Sequence, residues 1–163
     1  TTQVIKLMRT QNSGRIIQNS SVLGLVTLPY RGAYNASKFA LEGLTDTLRL
    51  ELSNTNIKVC LIEPGPIESK FRQNALNAFL AHIDIEKSSH KSNYLAQQQR
   101  LNTNTKPQPF TLGPEAVLKV LLHAMESKHP KIRYYVTFPT YLFGFLKRIL
   151  PARLLDKILN GAK

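Results

Sequence analysis

The chain has 163 residues, 42% hydrophobic and 20% charged, with 22 Lys/Arg against 10 Asp/Glu for a net charge of +12. That size is one domain or a large part of one, and that balance excludes a chain disordered throughout. A single cysteine, Cys60, excludes an intrachain disulfide, and no apolar run reaches the ~18 residues needed to cross a bilayer.

Thr1 to Arg9 reads as the end of a helix, with Val4, Ile5 and Met8 on one face. Gln11 to Gly14 is a turn, and Arg15 to Ser21 a short strand. Val22 to Gly32 is a loop. Tyr34 to Leu52 is predicted as a long helix, free of proline, with Phe39, Leu41, Leu44, Leu48 and Leu52 at helical spacing. Ile57 to Glu63 is apolar enough for a central strand of a parallel sheet, and it places Cys60 as a buried, inert thiol. Pro64-Gly65-Pro66 stops it.

Glu68 to Phe110 is polar and rich in Asn, Gln and Ser, with weak helical stretches near Phe71–His82 and Asn93–Leu101. So long a polar segment inside a compact domain reads as a lid over a binding site. Thr111 to Ser127 is a helix with Pro114 in its first turn. Ile132 to Thr137 is a strand. Tyr141 to Leu150 and Ala152 to Leu159 are short basic amphipathic helices split by Pro151.

Alternating strands and helices predict a Rossmann-like, doubly wound parallel α/β sheet with right-handed crossovers. Three strands leave the first with an open edge, so the chain is expected to be the second half of such a sheet, completed by a preceding βαβ half. The expected division is 1–140 for this half, with 68–110 as the lid, and 141–163 for the basic tail.

Charge is concentrated in that tail. Lys128 to Lys163 holds eight Lys/Arg against one acid, Asp156. The interleaved residues are mostly Leu, Ile and Phe, which favours a membrane surface or partner over nucleic acid. Two readings of Tyr141–Leu159 stay open: an apolar face packed on the domain, or reversible contact with an anionic membrane.

Tyr34 and Lys38 are spaced i, i+4 at the start of a helix and share one face. An ammonium beside a phenol favours phenolate, so such a tyrosine exchanges protons nearer neutral pH. Ser20-Ser21 ends the preceding strand, with Ser21 thirteen residues before Tyr34. A hydroxyl at the C-terminal end of a parallel strand faces the ligand crevice and can donate to an oxygen gaining charge, although a serine there also serves as an ordinary loop cap. Pro64-Gly65-Pro66-Ile67 lies at the same edge of the sheet. Its prolines stiffen the turn, and Gly65 is expected to let the backbone approach a ligand. Glu63 reads as a strand-end polar group. Tyr30 and Arg31 face either substrate or solvent. His82, His90, His123 and His129 show no metal-ligand pairing, so no metal site is expected.

G-R-I-I-Q-N-S-S-V-L-G-L, Y-N-A-S-K-F-A-L-E-G and I-K-V-C-L-I-E-P-G-P-I, in this order, resemble the catalytic half of the short-chain dehydrogenase/reductase family. F-T-L-G-P-E-A-V and L-P-A-R-L-L-D-K-I-L extend the resemblance to a bacterial branch of NADP-dependent aldehyde and ketone reductases, related to the 17β-hydroxysteroid and retinol dehydrogenase group. The resemblance implies hydride transfer between NADP (or NAD) and a carbonyl or alcohol. Tyr34 would exchange the proton, Lys38 would tune Tyr34 and hold the nicotinamide ribose, and Ser21 would hold the substrate oxygen. Pro64, Gly65, Ile67 and Ser69 would line the nicotinamide. It also implies a homodimer through the Tyr34–Leu52 helix and a cytoplasmic enzyme. The family's G-x-x-x-G-x-G loop, N-N-A-G motif and helical catalytic Asn do not occur in these 163 residues, so the chain alone is expected to bind a dinucleotide poorly. The alternative is a catalytically incompetent binding or dimerisation module.

Overall fold

The computed structural model describes residues 1–102 and 109–161. Residues 103–108 of the expected lid and 162–163 of the expected tail lie outside them. The elements run α1 (Thr2–Thr10), β1 (Gly14–Asn19), a 3-10 turn (Val22–Gly24), α2 (Gly32–Glu51), β2 (Ile57–Glu63), α3 (Phe71–His82), α4 (Lys91–Asn102), α5 (Glu115–Glu126), β3 (Arg133–Tyr135), α6 (Phe138–Ile149) and α7 (Ala152–Gly161).

The three strands form one sheet in the order β1-β2-β3. β1 pairs with β2 in parallel from Gly14↔Ile57 to Asn19↔Ile62. β2 pairs with β3 in parallel from Leu61↔Arg133 to Glu63↔Tyr135. Because side chains alternate across a strand, β2 feeds two separate cores. Ile57 and Val59 join Ile16 and Leu52, closed by Ile5 and Met8 of α1 and Leu48 of α2. Cys60 and Ile62 join Ala124 and Tyr134, closed by Val117, Val120 and Leu121 of α5. Helices therefore cover both faces, which is why β2 is apolar almost throughout. Arg15 ties the layers at the sheet's N-terminal end, donating to Ala124 O at 2.7 Å and Ser127 O at 2.5 Å, carbonyls at the end of α5.

Several boundaries differ from the sequence expectation, each for a local reason. β1 ends at Asn19 rather than Ser21, because Ser21 turns the chain into the 3-10 turn by accepting the Leu23 N–H at 3.1 Å. α5 begins at Glu115 rather than Thr111. The residues before it pair instead with the segment after β2, where Ile67 bridges Leu112 through Glu68 N→Leu112 O at 2.9 Å and Leu112 N→Pro66 O at 3.2 Å. β3 stops at Tyr135 rather than Thr137, because its partner strand ends at Glu63, opposite Tyr135. α6 begins at Phe138 rather than Tyr141, with Pro139 in its first turn, where a missing N–H costs nothing.

Candidate active site

The C-terminal ends of β1 and β2 open onto a cleft of about 1120 Å³. Ser21, Tyr34, Lys38, Pro64, Gly65, Ile67 and Ser69 all line it. They come from the end of β1, the first two turns of α2, and the segment after β2.

Ser21 is buried. Its Oγ accepts from Leu23 N, so it caps the 3-10 turn and still has its own hydroxyl proton to donate into the cleft. The cap role is observed, and it leaves the hydroxyl proton unspent. Its neighbour Ser20 is also buried, and among the described residues Ser20 Oγ has no hydrogen-bond partner. Gly24 explains how α2 comes so close to this turn: a Cβ there would meet Ser20 Oγ at 2.7 Å and Glu42 Cγ at 2.9 Å.

Lys38 lies one turn after Tyr34 on α2. Its Nζ donates to Asn19 O at 2.9 Å and sits 5.7 Å from the centroid of the Tyr34 ring. One of three ammonium donors is thereby spent, leaving two. Burial pushes the Lys38 pKa down, while Glu42 pulls it the other way. Asn35, in the same turn as Tyr34, donates to Leu28 O at 3.0 Å and holds the preceding loop against α2.

Gly65 lines the cleft and also packs against α6. Its missing side chain faces Thr137 and Thr140, with Thr137 Oγ1 the nearest atom to a Cβ built there. A side chain at this position would collide with the start of α6. Ile67 pairs with Leu112 through the groups of its neighbours, so no hydrogen bond among the described residues engages the Ile67 N–H. Ser69 Oγ accepts the Phe71 N–H at 3.3 Å and caps the entry to α3.

α3 and α4 are tied to the site by aromatic contacts that sequence reasoning missed. Phe71 of α3 lies 5.5 Å from the Tyr34 ring, centroid to centroid. Tyr94 of α4 meets Tyr30 at 6.0 Å and Phe79 at 5.7 Å. Tyr30 holds a left-handed φ of 60°, a conformation uncommon for an aromatic residue and one that tertiary contacts must maintain. Tyr30 and Arg31 both line the cleft, joined by Arg72 of α3 and Arg100 of α4. α6 and α7 also contribute a wall: Pro139, Phe143 and Leu159 line the cleft, and Leu159 is 5% exposed. Part of the amphipathic tail therefore packs on the domain.

Glu63 is more than a strand-end polar group. It is 0% exposed and shares the Arg133 guanidinium with two acids of α2. Arg133 donates to Glu63 Oε1 at 2.6 Å, to Asp46 Oδ2 at 2.6 Å, and to Glu42. Burial first, and then the charge of Glu42, push the Glu63 pKa up to about 8 against the pull of Arg133. The network joins α2, β2 and β3 under the cleft floor. His123 lies against Tyr134 Oη at 2.9 Å.

A parallel α/β sheet with helices on both faces and a cleft at the carboxyl edge defines the nucleotide-binding, Rossmann-like class of fold. The short chain dehydrogenase family profile matches residues 1–80. Over 161 residues the chain is 43% identical to the uncharacterized oxidoreductase YbbO of Escherichia coli, a match that takes in 99% of this chain and 54% of that protein. It is 34% identical over 133 residues to human 17-beta-hydroxysteroid dehydrogenase type 1, covering 80% of this chain and 39% of the relative. Among solved structures, a short chain dehydrogenase from Burkholderia cenocepacia in complex with NADP shares the fold at a TM-score of 0.63 and 20% identity, over 91% of this chain and 50% of that one. A short chain dehydrogenase/reductase from Burkholderia phymatum in complex with NAD superposes at a TM-score of 0.60 with 26% identity, over 92% and 50%. The chain spans about half the length of the curated relatives it matches. It belongs to the short-chain dehydrogenase/reductase family.

Proposed function

We propose that the protein is an NAD(P)(H)-dependent oxidoreductase acting between a carbonyl and the corresponding alcohol through Ser21, Tyr34 and Lys38. The observation that carries this reading is their convergence, with the Pro64–Ile67 turn, on one cleft at the carboxyl edge of a parallel sheet. The donors left unspent there fit the nicotinamide end of a dinucleotide. Lys38 retains two N–H donors for a ribose, and the Ile67 N–H suits a carboxamide oxygen. When bound, the dinucleotide supplies or accepts the hydride at the substrate carbon.

The chain's own residues handle the oxygen. Ser21 donates its hydroxyl to it and fixes its place beside Tyr34. Tyr34 Oη gives it a proton in the reductive direction and takes one in the oxidative direction. Lys38 supplies positive charge beside the phenol, positioned by its bond to Asn19. Phe71 and the aromatic contacts of α4 close the lid over the phenol and keep water out. NADP is the preferred dinucleotide in this reading. Lipophilic aldehydes, ketones and steroid- or retinoid-like alcohols are the substrate class, in keeping with the apolar walls from Phe71, Phe143 and Leu159.

The proposed partner is a second copy of the chain, packed through α2, where Leu44 is 66% and Leu50 64% exposed. Contact with an anionic membrane is proposed for residues 141–159, which expose Phe145, Ile149, Leu154 and Ile158 among Lys147, Arg148, Arg153 and Lys157. No helix among the described residues is long and apolar enough to cross a membrane. A cytoplasmic location accompanies this proposal. The test is oxidation of NADPH and NADH by the protein expressed from its own start codon, across aldehydes and ketones, with Tyr34→Phe as control. Turnover abolished by Tyr34→Phe supports the assignment. A folded protein inert with both cofactors refutes it and leaves a non-catalytic binding module.

A further inference from the structure

Three arginines from three separate elements converge on the proposed active-site cleft. Arg31 comes from the loop before α2, Arg72 from the first turn of α3, and Arg100 from the last turn of α4. Each is half-buried. None of the ion pairs among the described residues includes any of them. Arg100 spends its Nε on Gln97 Oε1 at 3.1 Å, and Glu68, the acid that lines the same cleft, lies outside ion-pair reach of all three.

Gathering unneutralised cations in a partly dry cleft is costly unless something anionic joins them. The cost is visible at Arg31, whose pKa is pushed down to about 10 by burial and then by repulsion from Arg100 and Arg72. Arg100 is lowered in the same way, by burial and then by Arg72. By contrast Arg133, in the structural network below the cleft, is surrounded by carboxylates. The fork of a guanidinium matches the paired oxygens of an oxoanion. Leu28, Leu101 and Phe143 line the same cleft, so it also offers apolar wall.

We infer that the substrate carries an oxoanion (carboxylate, phosphate or sulfonate) joined through an apolar segment to its carbonyl or alcohol carbon, and that Arg31, Arg72 and Arg100 grip that oxoanion while Tyr34 faces the reacting oxygen. The inference rests on the oxidoreductase reading of this site. A dinucleotide also carries oxoanions. Two of the three arginines, however, ride on α3 and α4, and α3 packs Phe71 against Tyr34 on the side of the cleft where the substrate would lie in this reading.

The test uses the protein expressed from its own start codon and compares kcat/KM for medium-chain ω-oxo acids and for plain aldehydes of the same length. The ratio should favour the oxo acid. Arg72→Gln and Arg100→Gln should each lower it roughly tenfold, about the effect of losing one charged contact, and Arg100→Lys should restore part of it. An unchanged ratio overturns the inference, and so does a loss that appears as a raised KM for NADPH with the plain aldehyde. If neither substrate is turned over, the oxidoreductase reading fails on its own. Calorimetric titration with a medium-chain dicarboxylate then decides the anion site: binding lost in Arg72→Gln/Arg100→Gln upholds it, and no binding overturns it.

Discussion

Lys38 donates from Nζ to the carbonyl of Asn19 at 2.9 Å, so the last residue of β1 is fastened to the second turn of α2. This bond links α2 to the strand end beside the cleft, one turn after Tyr34. Lys38→Met keeps the apolar stem but removes both the tie and the charge. In the protein expressed from its own start codon it should lower kcat/KM by roughly a hundredfold or more, the range of a lost proton-transfer function, while far-UV circular dichroism stays unchanged. Activity within a few-fold of the parent would remove Lys38 from the proposed machinery.

Ser21 serves two roles that separate experimentally. Ser21→Ala deletes the acceptor for Leu23 N and should cost about 1 kcal/mol in urea unfolding, as other lost caps do. It should also depress turnover by about a hundredfold through loss of a donor to the substrate oxygen. A stability loss with full activity would leave Ser21 as a cap alone.

Glu63 makes stability depend on pH. Its folded pKa of about 8 lies above the ordinary value near 4.5. Between those values the folded state holds a proton that the unfolded state has released, so stability falls as pH rises through this window. Unfolding followed at several pH values across it should show the decline, and Glu63→Gln should flatten it. A parallel slope in the variant would assign the dependence to other groups.

Arg133 is shared by Glu63, Glu42 and Asp46, and of these Glu63 holds its proton below about pH 8. Arg133→Leu removes the cation beside the buried Glu42 and the donor to the buried Glu63, and should destabilise the fold by about 3–5 kcal/mol. Reversion toward parental stability in Arg133→Leu/Glu63→Gln, read as coupling in a double-mutant cycle, would locate that cost at the buried glutamate.

Gly65→Ala drives a methyl group into Thr137 and should destabilise by roughly 1–3 kcal/mol through overpacking. Thr137→Ala in the same chain should recover much of that loss, because it removes the colliding hydroxyl. Without recovery, the glycine requirement would lie elsewhere than in this contact.

The sequence alone determined much of this protein. The apolar run of Ile57–Glu63, the helical spacing from Phe39 to Leu52 and the proline-glycine stop after β2 are local signals, and each became the expected element. That Ser21, Tyr34 and Lys38 line one cleft was legible too, because a helical i, i+4 pair and a strand-end serine are short-range patterns that parallel topology places on one edge. What only the tertiary structure decided involves residues far apart in the chain. Arg133 meets Glu42 across 91 positions, and no local pattern marks either as the other's partner. Arg31, Arg72 and Arg100 share a cleft only because α3 and α4 pack against Tyr34 and Tyr30. The packing of Gly65 on Thr137 likewise has no local signal, since a residue's neighbours in a packed interior are chosen by the whole chain and not by the turn in which it sits.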